Sequence, residues 1–188
     1  MIAPTTPVAD AREEELLVVR CQLGERSAFD ELIERWHPPL WKYVRRVTGD
    51  DDAAQDAVQD VWLRVLRGIN RLRDGSKLRA WLFGIAHHVV MDRFRSQYAS
   101  PMVDGGDLGN VAVDESSGGF EDDMAALHRE LTQLPVTERE VLTLFYLREL
   151  SLTEVATVLG IPVGTVKSRL FRARQLLRQE LESKGRHA

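Results

Sequence analysis

The sequence is poor in the residues that build covalent and metal-bound scaffolds. It has a single cysteine, Cys21, so it cannot form an internal disulfide. Its five histidines are scattered, apart from the adjacent pair His87 and His88. Neighbours on a helix point about 100° apart, so this pair is poorly placed to share a metal ion. We therefore expect no disulfide and no metal site.

Long apolar runs are also missing. A membrane-spanning helix needs about 20 predominantly apolar residues, and no uninterrupted run in this chain approaches that length. The N-terminus, residues 1–7, lacks the basic and the apolar segments of a signal peptide. These absences predict a cytoplasmic protein without membrane insertion.

The chain also lacks a set of residues that would carry out catalysis. Asp56 and Asp60 lie one helical turn apart and could suggest an acid/base pair or a metal pair. No histidine, glutamate cluster or glycine-rich phosphate loop accompanies them. We therefore expect no catalytic residues, no cofactor and no enzymatic activity.

Alternation of apolar and polar residues, which marks a half-buried strand, is absent as well. Apolar residues instead recur with helical spacing along nearly the whole chain. The exception contains Pro101, several glycines and several acids, which is the composition of a linker. The sequence predicts an all-α fold of two small helical domains, residues 10–97 and 121–184, joined by a flexible acidic linker at 98–120.

Several local signals set the expected helix boundaries. The expected helices of the first domain lie near residues 11–23, 27–47, 52–69 and 77–95. Ser27 with Asp30, and Thr137 with Glu140, have the spacing of a capping box that opens a helix. The pair Pro38-Pro39 predicts a kink or break in the second helix, because proline removes a backbone donor and clashes with the preceding turn.

The chain has a net charge of −4, and its charged residues are unevenly distributed along the sequence. Residues 61–95 hold eight basic and two acidic residues, and residues 96–127 hold seven acidic and no basic ones. Residues 128–188 are again basic, with ten Lys or Arg against seven acids. Two basic blocks separated by an acidic stretch favour a chain that contacts nucleic acid twice, although blocks of this size also arise in solvated helices.

The C-terminal part has the pattern of a helix-turn-helix. Ser151 and Glu154 form a capping box that opens a short helix, and Gly160 with Pro162 ends it and starts the next. Residues 162–178 carry five Lys or Arg and no acid. The apolar stripe of this helix is Val166, Leu170, Ala173 and Leu177. A helix that packs on one face and is basic on the other suits the major groove of DNA.

The helix expected at 52–69 has two chemically distinct faces. Its core face consists of Ala54, Val58, Val61, Trp62, Val65 and Ile69. Opposite stand Asp56, Gln59, Asp60 and Leu63, within about 100° of one another. Such a face suits docking on a basic protein surface with a small apolar pocket, with leucine as its anchor. An ordinary solvated face is the alternative interpretation.

The helix expected at 77–95 interleaves aromatic, small and basic residues. Its predicted core face is Leu78, Leu82, Ile85, Ala86 and Val89. Another side carries Trp81, Gly84, His88, Met91 and Arg95, and the preceding loop, residues 70–77, is basic. Together they could hold single-stranded DNA, where bases stack on flat side chains and cations follow the backbone. The alternative for Trp81 is a place in the core.

Three motifs together resemble a known family. They are Asp56–Trp62 (DAVQDVW), Leu78–Ala86 (LRAWLFGIA), and Leu134-Pro135 followed by Gly164–Arg174 (GTVKSRLFRAR). In this order, with an acidic linker between them, they resemble bacterial sigma factors of the extracytoplasmic-function (ECF) class. The resemblance implies a dissociable promoter-specificity subunit of RNA polymerase that is not itself an enzyme.

The resemblance also implies partners and site residues. Expected partners are the clamp helices and flap region of core RNA polymerase, promoter DNA, and an anti-sigma factor or another sequestering regulator. Polymerase docking would fall to Asp56, Gln59, Asp60 and Leu63. Contacts to the minus-10 element would come from Leu72, Arg73, Lys77, Arg79, Trp81, His88 and Arg95. Contacts to the minus-35 element would come from Gly164, Thr165, Lys167, Ser168, Phe171, Arg172 and Arg174.

The chain departs from the family pattern at a few positions. Residues 53–55 are neutral where relatives usually carry more acid, which affects the expected strength of polymerase docking; Asp50, Asp51 and Asp52 offer charge one turn earlier. Leu72 and His88 differ from the aromatic and amide residues common at the base pocket. Two other functions stay open: a stand-alone helix-turn-helix regulator, and a helical adaptor without a DNA role.

Overall fold

The computed structural model describes residues 8–99 and 131–185, and every regular element in these two ranges is helical. This confirms the predicted all-α class. Residues 100–120 of the predicted linker lie outside the described residues. No described helix combines the length and the apolar character that a membrane crossing needs.

The first domain consists of four helices. They are α1 (Val8–Gln22), α2 (Arg26–Thr48), α3 (Asp51–Gly68) and α4 (Leu78–Ala99). Two short 3-10 turns, Ile69–Arg71 and Gly75–Lys77, connect α3 to α4. The four helices agree with the expected ones, and α4 extends two residues beyond the predicted domain limit at 97.

In the described part of the second domain, residues 131–133 are helical, and three further helices and a wide turn follow. They are α5 (Val136–Leu142), a π-helical turn (Thr143–Leu147), α6 (Leu152–Leu159) and α7 (Val163–Gly185). The predicted capping box of α6 is present, because Ser151 accepts from the Glu154 amide and Glu154 accepts from the Ser151 amide. Gly160 ends α6 with φ +63°, a left-handed conformation that favours glycine.

The other two predicted capping boxes are wrong. Helix α2 begins one residue before Ser27, and its N-cap, Glu25, makes no side-chain hydrogen bond. Helix α5 has Pro135 as its N-cap, also without a side-chain hydrogen bond. The Glu140 carboxylate, which the box assigned to the local backbone, instead accepts from side chains of the first domain.

A kink or a break was predicted at Pro38-Pro39, and the structure shows no break, because α2 runs through both prolines without interruption. Buried side chains continue on either side of the pair, with Trp36 before it and Leu40 after it. Each proline removes one backbone donor, yet the apolar face of α2 is anchored in the core on both sides. Tertiary packing therefore outweighs the local preference.

The predicted core face of α3 is correct. Ala54, Val58, Val61, Trp62, Val65 and Ile69 are all buried. The predicted stripe of α7 is also buried at Val166, Leu170 and Ala173, and Leu177 is half-buried. The helical period of the apolar residues therefore located both packing faces.

Helix α4 is buried on more than the one face that its sequence predicted. Leu78, Leu82, Ala86 and Val89 are buried as expected, and Ile85 is half-buried. Phe83 and Val90 are also buried, on the side that carries His87. Helix α6 packs against α4, and one cluster of buried side chains runs through both domains. The two domains are docked together.

Charged and polar groups lie inside this contact. Glu140 accepts a hydrogen bond from the Tyr43 hydroxyl and lies 2.7 Å from Nδ1 of His87. Arg139 donates from Nη1 to the backbone oxygen of Val47 at 3.0 Å. A buried carboxylate without such partners would destabilise the fold, so these hydrogen bonds fix how the domains meet.

The surroundings of Tyr43 predict an unusual titration. Burial raises its pKa well above the ordinary value, and the negative charge and hydrogen bond of Glu140 raise it further. The folded state therefore holds this proton more tightly than the unfolded state, whose tyrosine pKa is about 10. Stability contributed by Tyr43 is complete below about pH 10 and falls as the pH rises above it.

We expect absorbance titration at 295 nm to show one of the three tyrosines still protonated well above pH 10 while the chain stays folded. Tyr43→Phe should remove this late step. An unchanged late step in the variant would contradict the assignment.

Candidate protein and nucleic-acid interfaces

The four predicted docking residues share the outer face of α3. Asp56 and Gln59 are exposed, and Asp60 is about half-exposed. The apolar side chain of Leu63 is 44% exposed and is not part of the core. Opposite them, the core face of the same helix is fully packed. The structure thus brings these four residues together on one accessible surface.

Arg93 of α4 lies against this face, which the sequence pattern did not indicate. Its Nη2 is 2.6 Å from Asp60 Oδ2, and its Nη1 is 3.9 Å from Asp56 Oδ2. The buried Nε of Arg93 has no hydrogen-bond partner. Arg93 therefore offsets part of the negative charge of the two predicted docking carboxylates. The effect is larger at Asp60, which is closer, than at Asp56, which is 72% exposed.

The acids before this face are engaged within the domain. Asp50 is the N-cap of α3 and accepts from the Ala53 amide at 2.7 Å. Asp51 forms an ion pair with Arg45 of α2. Of the three acids, Asp52 is the one for which the structure shows neither a cap nor an ion pair. It therefore supplies part of the negative charge that relatives carry at residues 53–55.

An open cleft of about 580 Å³ adjoins the docking face. Its lining residues are His37, Pro38, Trp41, Gln55, Val58, Gln59 and Trp62. Trp62 donates from Nε1 to Nδ1 of His37 at 3.1 Å, and the two rings are stacked. The cleft lies between the consecutive helices α2 and α3, and the packing of these two helices reveals it, whereas the apolar period of either helix alone does not.

The predicted minus-10 residues are spread over the loop and α4. In the loop, Arg73 and Lys77 are exposed, and Lys77 lies 3.2 Å from Asp74. Leu72 is half-buried, and Gln22 of α1 donates to its backbone oxygen at 2.8 Å. The loop is thus tied to α1 through its backbone, while its cations face solvent.

Trp81 is half-buried rather than free to stack. A side chain added at Gly68 would lie only 3.1 Å from Cζ2 of Trp81, so the ring packs directly on the end of α3. This geometry favours the packing interpretation of Trp81 over a stacking platform. Gly68 leaves the space that the ring fills.

The remaining minus-10 residues differ in accessibility. His88 and Arg95 are exposed, and Arg95 pairs with Asp92. Arg79 is half-buried and lies near Arg148 of the second domain, whose pKa is lowered by burial and by the neighbouring Arg46 and Arg79. Arg79 therefore faces the other domain as well as solvent.

Helix α7 presents the predicted minus-35 residues on its outer side. Gly164, Lys167, Ser168, Phe171, Arg172 and Arg174 are exposed, and Thr165 is half-buried. Phe171 is 59% exposed, which is high for phenylalanine, a residue that is most often buried. The Ser168 hydroxyl donates to the Thr165 backbone oxygen at 3.0 Å. Six of the seven residues thus share one open surface.

Two side chains of the second domain position arginines on this surface. Glu138 is nearly buried and lies 3.4 Å from Nε of Arg172. The Tyr146 hydroxyl lies 3.4 Å from Nη1 of Arg174. Neither contact follows from periodicity, because Glu138 belongs to α5 and Tyr146 to the π-helical turn, both separated from α7 by α6.

Comparison with known proteins gives the same division of the chain. The Sigma-70 region 2 family matches residues 32–99, and the Sigma-70, region 4 family matches residues 124–177. The first match contains the docking face and the minus-10 residues, and the second contains the helix-turn-helix.

Whole proteins match over nearly their full length. The ECF RNA polymerase sigma factor SigC of Mycobacterium tuberculosis is 31% identical over 95% of this chain and 96% of its own. SigL of the same species is 36% identical over 95% of this chain and 97% of its own. A solved structure, the sigma factor RpoE in complex with the anti-sigma factor NepR from Bartonella quintana, is 27% identical with a TM-score of 0.71 and covers 82% of this chain and 96% of its own. The chain belongs to the ECF family of RNA polymerase sigma factors, which direct promoter recognition.

Proposed function

We propose that the chain docks on core RNA polymerase through the outer face of α3 and contacts promoter DNA once with each domain. The observation that carries the proposal is the pair of exposed surfaces that no core packing explains. One combines carboxylates, Gln59 and Leu63 on α3, and the other combines Lys167, Phe171 and Arg172 on α7. The first suits a basic protein surface, and the second suits a DNA groove.

The loop and α4 of the first domain would contact the minus-10 element. Arg73, Lys77 and Arg95 supply exposed cations for the backbone, and His88 supplies an exposed ring for a base. Leu72 would line the same pocket as His88. Trp81, which packs on Gly68, would support this surface from behind.

Further partners follow by analogy with relatives. One solved relative is in complex with an anti-sigma factor, so we propose that a comparable regulator binds this chain. The second domain would also meet the flap region of core polymerase. Localisation in the cytoplasm, with polymerase and DNA, is part of the same proposal.

The direct test is run-off transcription with purified core polymerase and a library of promoter fragments. We expect the chain to direct initiation at a subset of fragments that core polymerase alone leaves silent. Failure to stimulate any fragment, together with failure to co-purify with core polymerase, would overturn the proposal.

Leu63 should be the apolar anchor of the docking surface. Leu63→Ala is expected to weaken binding to core polymerase about tenfold, since burying a leucine contributes about 1.5–3 kcal/mol of which part is lost to imperfect fit. The measurement is a titration of labelled chain with core polymerase.

Leu16→Ala is the matched control, because Leu16 is an exposed leucine, 60% accessible, that lies on α1 and not on α3. Equal losses for the two variants would show that α3 does not dock through the face of Asp56 and Leu63.

Arg172 should read the minus-35 element. Arg172→Ala is expected to cost about 1–3 kcal/mol of binding to a selected minus-35 duplex and to relax base preference at one position. Lys167→Ala should instead weaken binding on all sequences and reduce the salt slope by about one. Fluorescence anisotropy at several salt concentrations separates the two effects.

Gln175→Ala, an exposed position of the same helix, is the control. If Arg172→Ala binds every duplex as the unaltered chain does, the exposed face of α7 is not the reading surface.

A further inference from the structure

Arg93 of α4 is a cation set against the predicted docking face of α3. Its Nη2 lies at hydrogen-bond distance, 2.6 Å, from Oδ2 of Asp60, and its Nη1 lies 3.9 Å from Oδ2 of Asp56. The side chain is only 33% exposed, and its Nε is buried. The guanidinium therefore reaches the face from beneath, along a shaft that lies between α3 and α4.

The stability of the fold does not account for an arginine at this position. Within the described residues the buried Nε of Arg93 has no hydrogen-bond partner, so this donor loses hydration without a replacement. A partly exposed ion pair recovers little of such a cost. A second ion pair already joins the same two helices, from Arg64 of α3 to Asp92 of α4 at 3.0 Å. We therefore looked for the effect of Arg93 on the surface that it reaches.

Arg93 changes the charge of that surface. Asp56 and Asp60 lie one turn apart on α3, and like charges at this spacing repel each other. With Arg93 between them, the three groups carry a formal net charge of −1 instead of −2. The long-range attraction of a basic surface depends on this net charge. Arg93 therefore weakens the general attraction of the face for cations.

The two carboxylates keep different capacities for a partner. Asp60 accepts from Arg93 at Oδ2, and no described residue bonds to its Oδ1. Asp56 is 72% exposed, and its contact with Arg93 is too long for a hydrogen bond. A cation of a partner can therefore pair fully with Asp56 and share Asp60 through the second oxygen, while Arg93 stays in place.

We propose that Arg93 is a specificity-determining residue of the docking face. It fixes Asp60 for a partner whose cation is correctly placed, and its charge weakens binding to basic surfaces that offer no such contact. Complementary charge of this kind selects partners more than it raises affinity. This role rests on the proposed docking of α3 on core polymerase.

Two substitutions separate the charge of Arg93 from its geometry. Arg93→Lys keeps the charge but loses the planar fork of donors, and Arg93→Gln loses both. The rate constants kon and koff are measured for the labelled, full-length chain with core polymerase at several salt concentrations. An equilibrium titration with poly-L-lysine provides a basic probe that has no placed contacts.

Both variants should dissociate from core polymerase about two- to fivefold faster, because Asp60 is no longer held in one position. Arg93→Gln alone should also associate about two- to fivefold faster at low salt, with a steeper salt dependence, and should bind poly-L-lysine more tightly by a similar factor. Arg93→Lys should leave kon and the affinity for poly-L-lysine unchanged. The preference for polymerase over poly-L-lysine should fall in Arg93→Gln.

Arg35→Gln is the matched control for the lost charge. Arg35 has a similar side-chain exposure, 35%, but it lies on α2 and pairs with Glu14 of α1 at 3.8 Å. This variant should change kon and the affinity for poly-L-lysine less than Arg93→Gln does. Circular dichroism verifies that each variant is folded, and the dissociation rate of Arg93→Lys tests the proposal if Arg93→Gln unfolds.

The proposal is wrong if Arg93→Gln binds poly-L-lysine no more tightly than Arg35→Gln, or if Arg93→Lys dissociates from core polymerase as slowly as the unaltered chain. Failure of the proposed docking has a different signature, because Leu63→Ala would then bind core polymerase as tightly as the unaltered chain does. A weakened Leu63→Ala together with unaffected Arg93 variants would leave the docking face in place and remove only the role of Arg93.

Discussion

The packing of α4 on two sides is the constraint on which the rest of the structure depends. One side, with Leu82 and Val89, closes the core of the first domain, and the other, with Phe83 and His87, meets the second domain. Burying the additional side removes apolar area from water and so favours docking. The same helix carries the exposed His88 and Arg95, so the element that joins the domains also bears a candidate DNA surface.

Sequence reasoning succeeded where a residue's role is decided by its own helix. The apolar period of α3 located its core and outer faces, and Ser151 with Glu154 located the start of α6 because the cap closes within four residues. It failed where the partners of a side chain come from another helix or from the other domain. Glu140 has the spacing of a cap, but the donors of Tyr43 and His87 approach it from the other domain. Arg93 reaches the docking face in the same way, from another helix.

Ion pairs inside the chain set the charge that each candidate surface presents. Arg93 lies close to Asp60 and farther from Asp56, so a basic partner would meet carboxylates that already have an ion-pair partner within the chain. Glu138 holds Arg172 in the same manner. The pair of Arg93 with the exposed Asp56 contributes little to stability, so it is readily exchanged for a pair with a partner. Glu138 is buried, so its carboxylate needs another partner if Arg172 leaves it. Both pairs orient the side chains beforehand and penalise partners that offer no replacement charge.

The contact between the two domains does not cover the candidate minus-35 surface of α7. Helix α7 packs on α5 and α6, and Phe171 and Arg172 remain exposed while the domains are together. The contact that holds Arg172 comes from Glu138 of α5, which belongs to the same domain. The position of Arg172 on that surface therefore depends on packing within the second domain, and not on how the first domain lies against it.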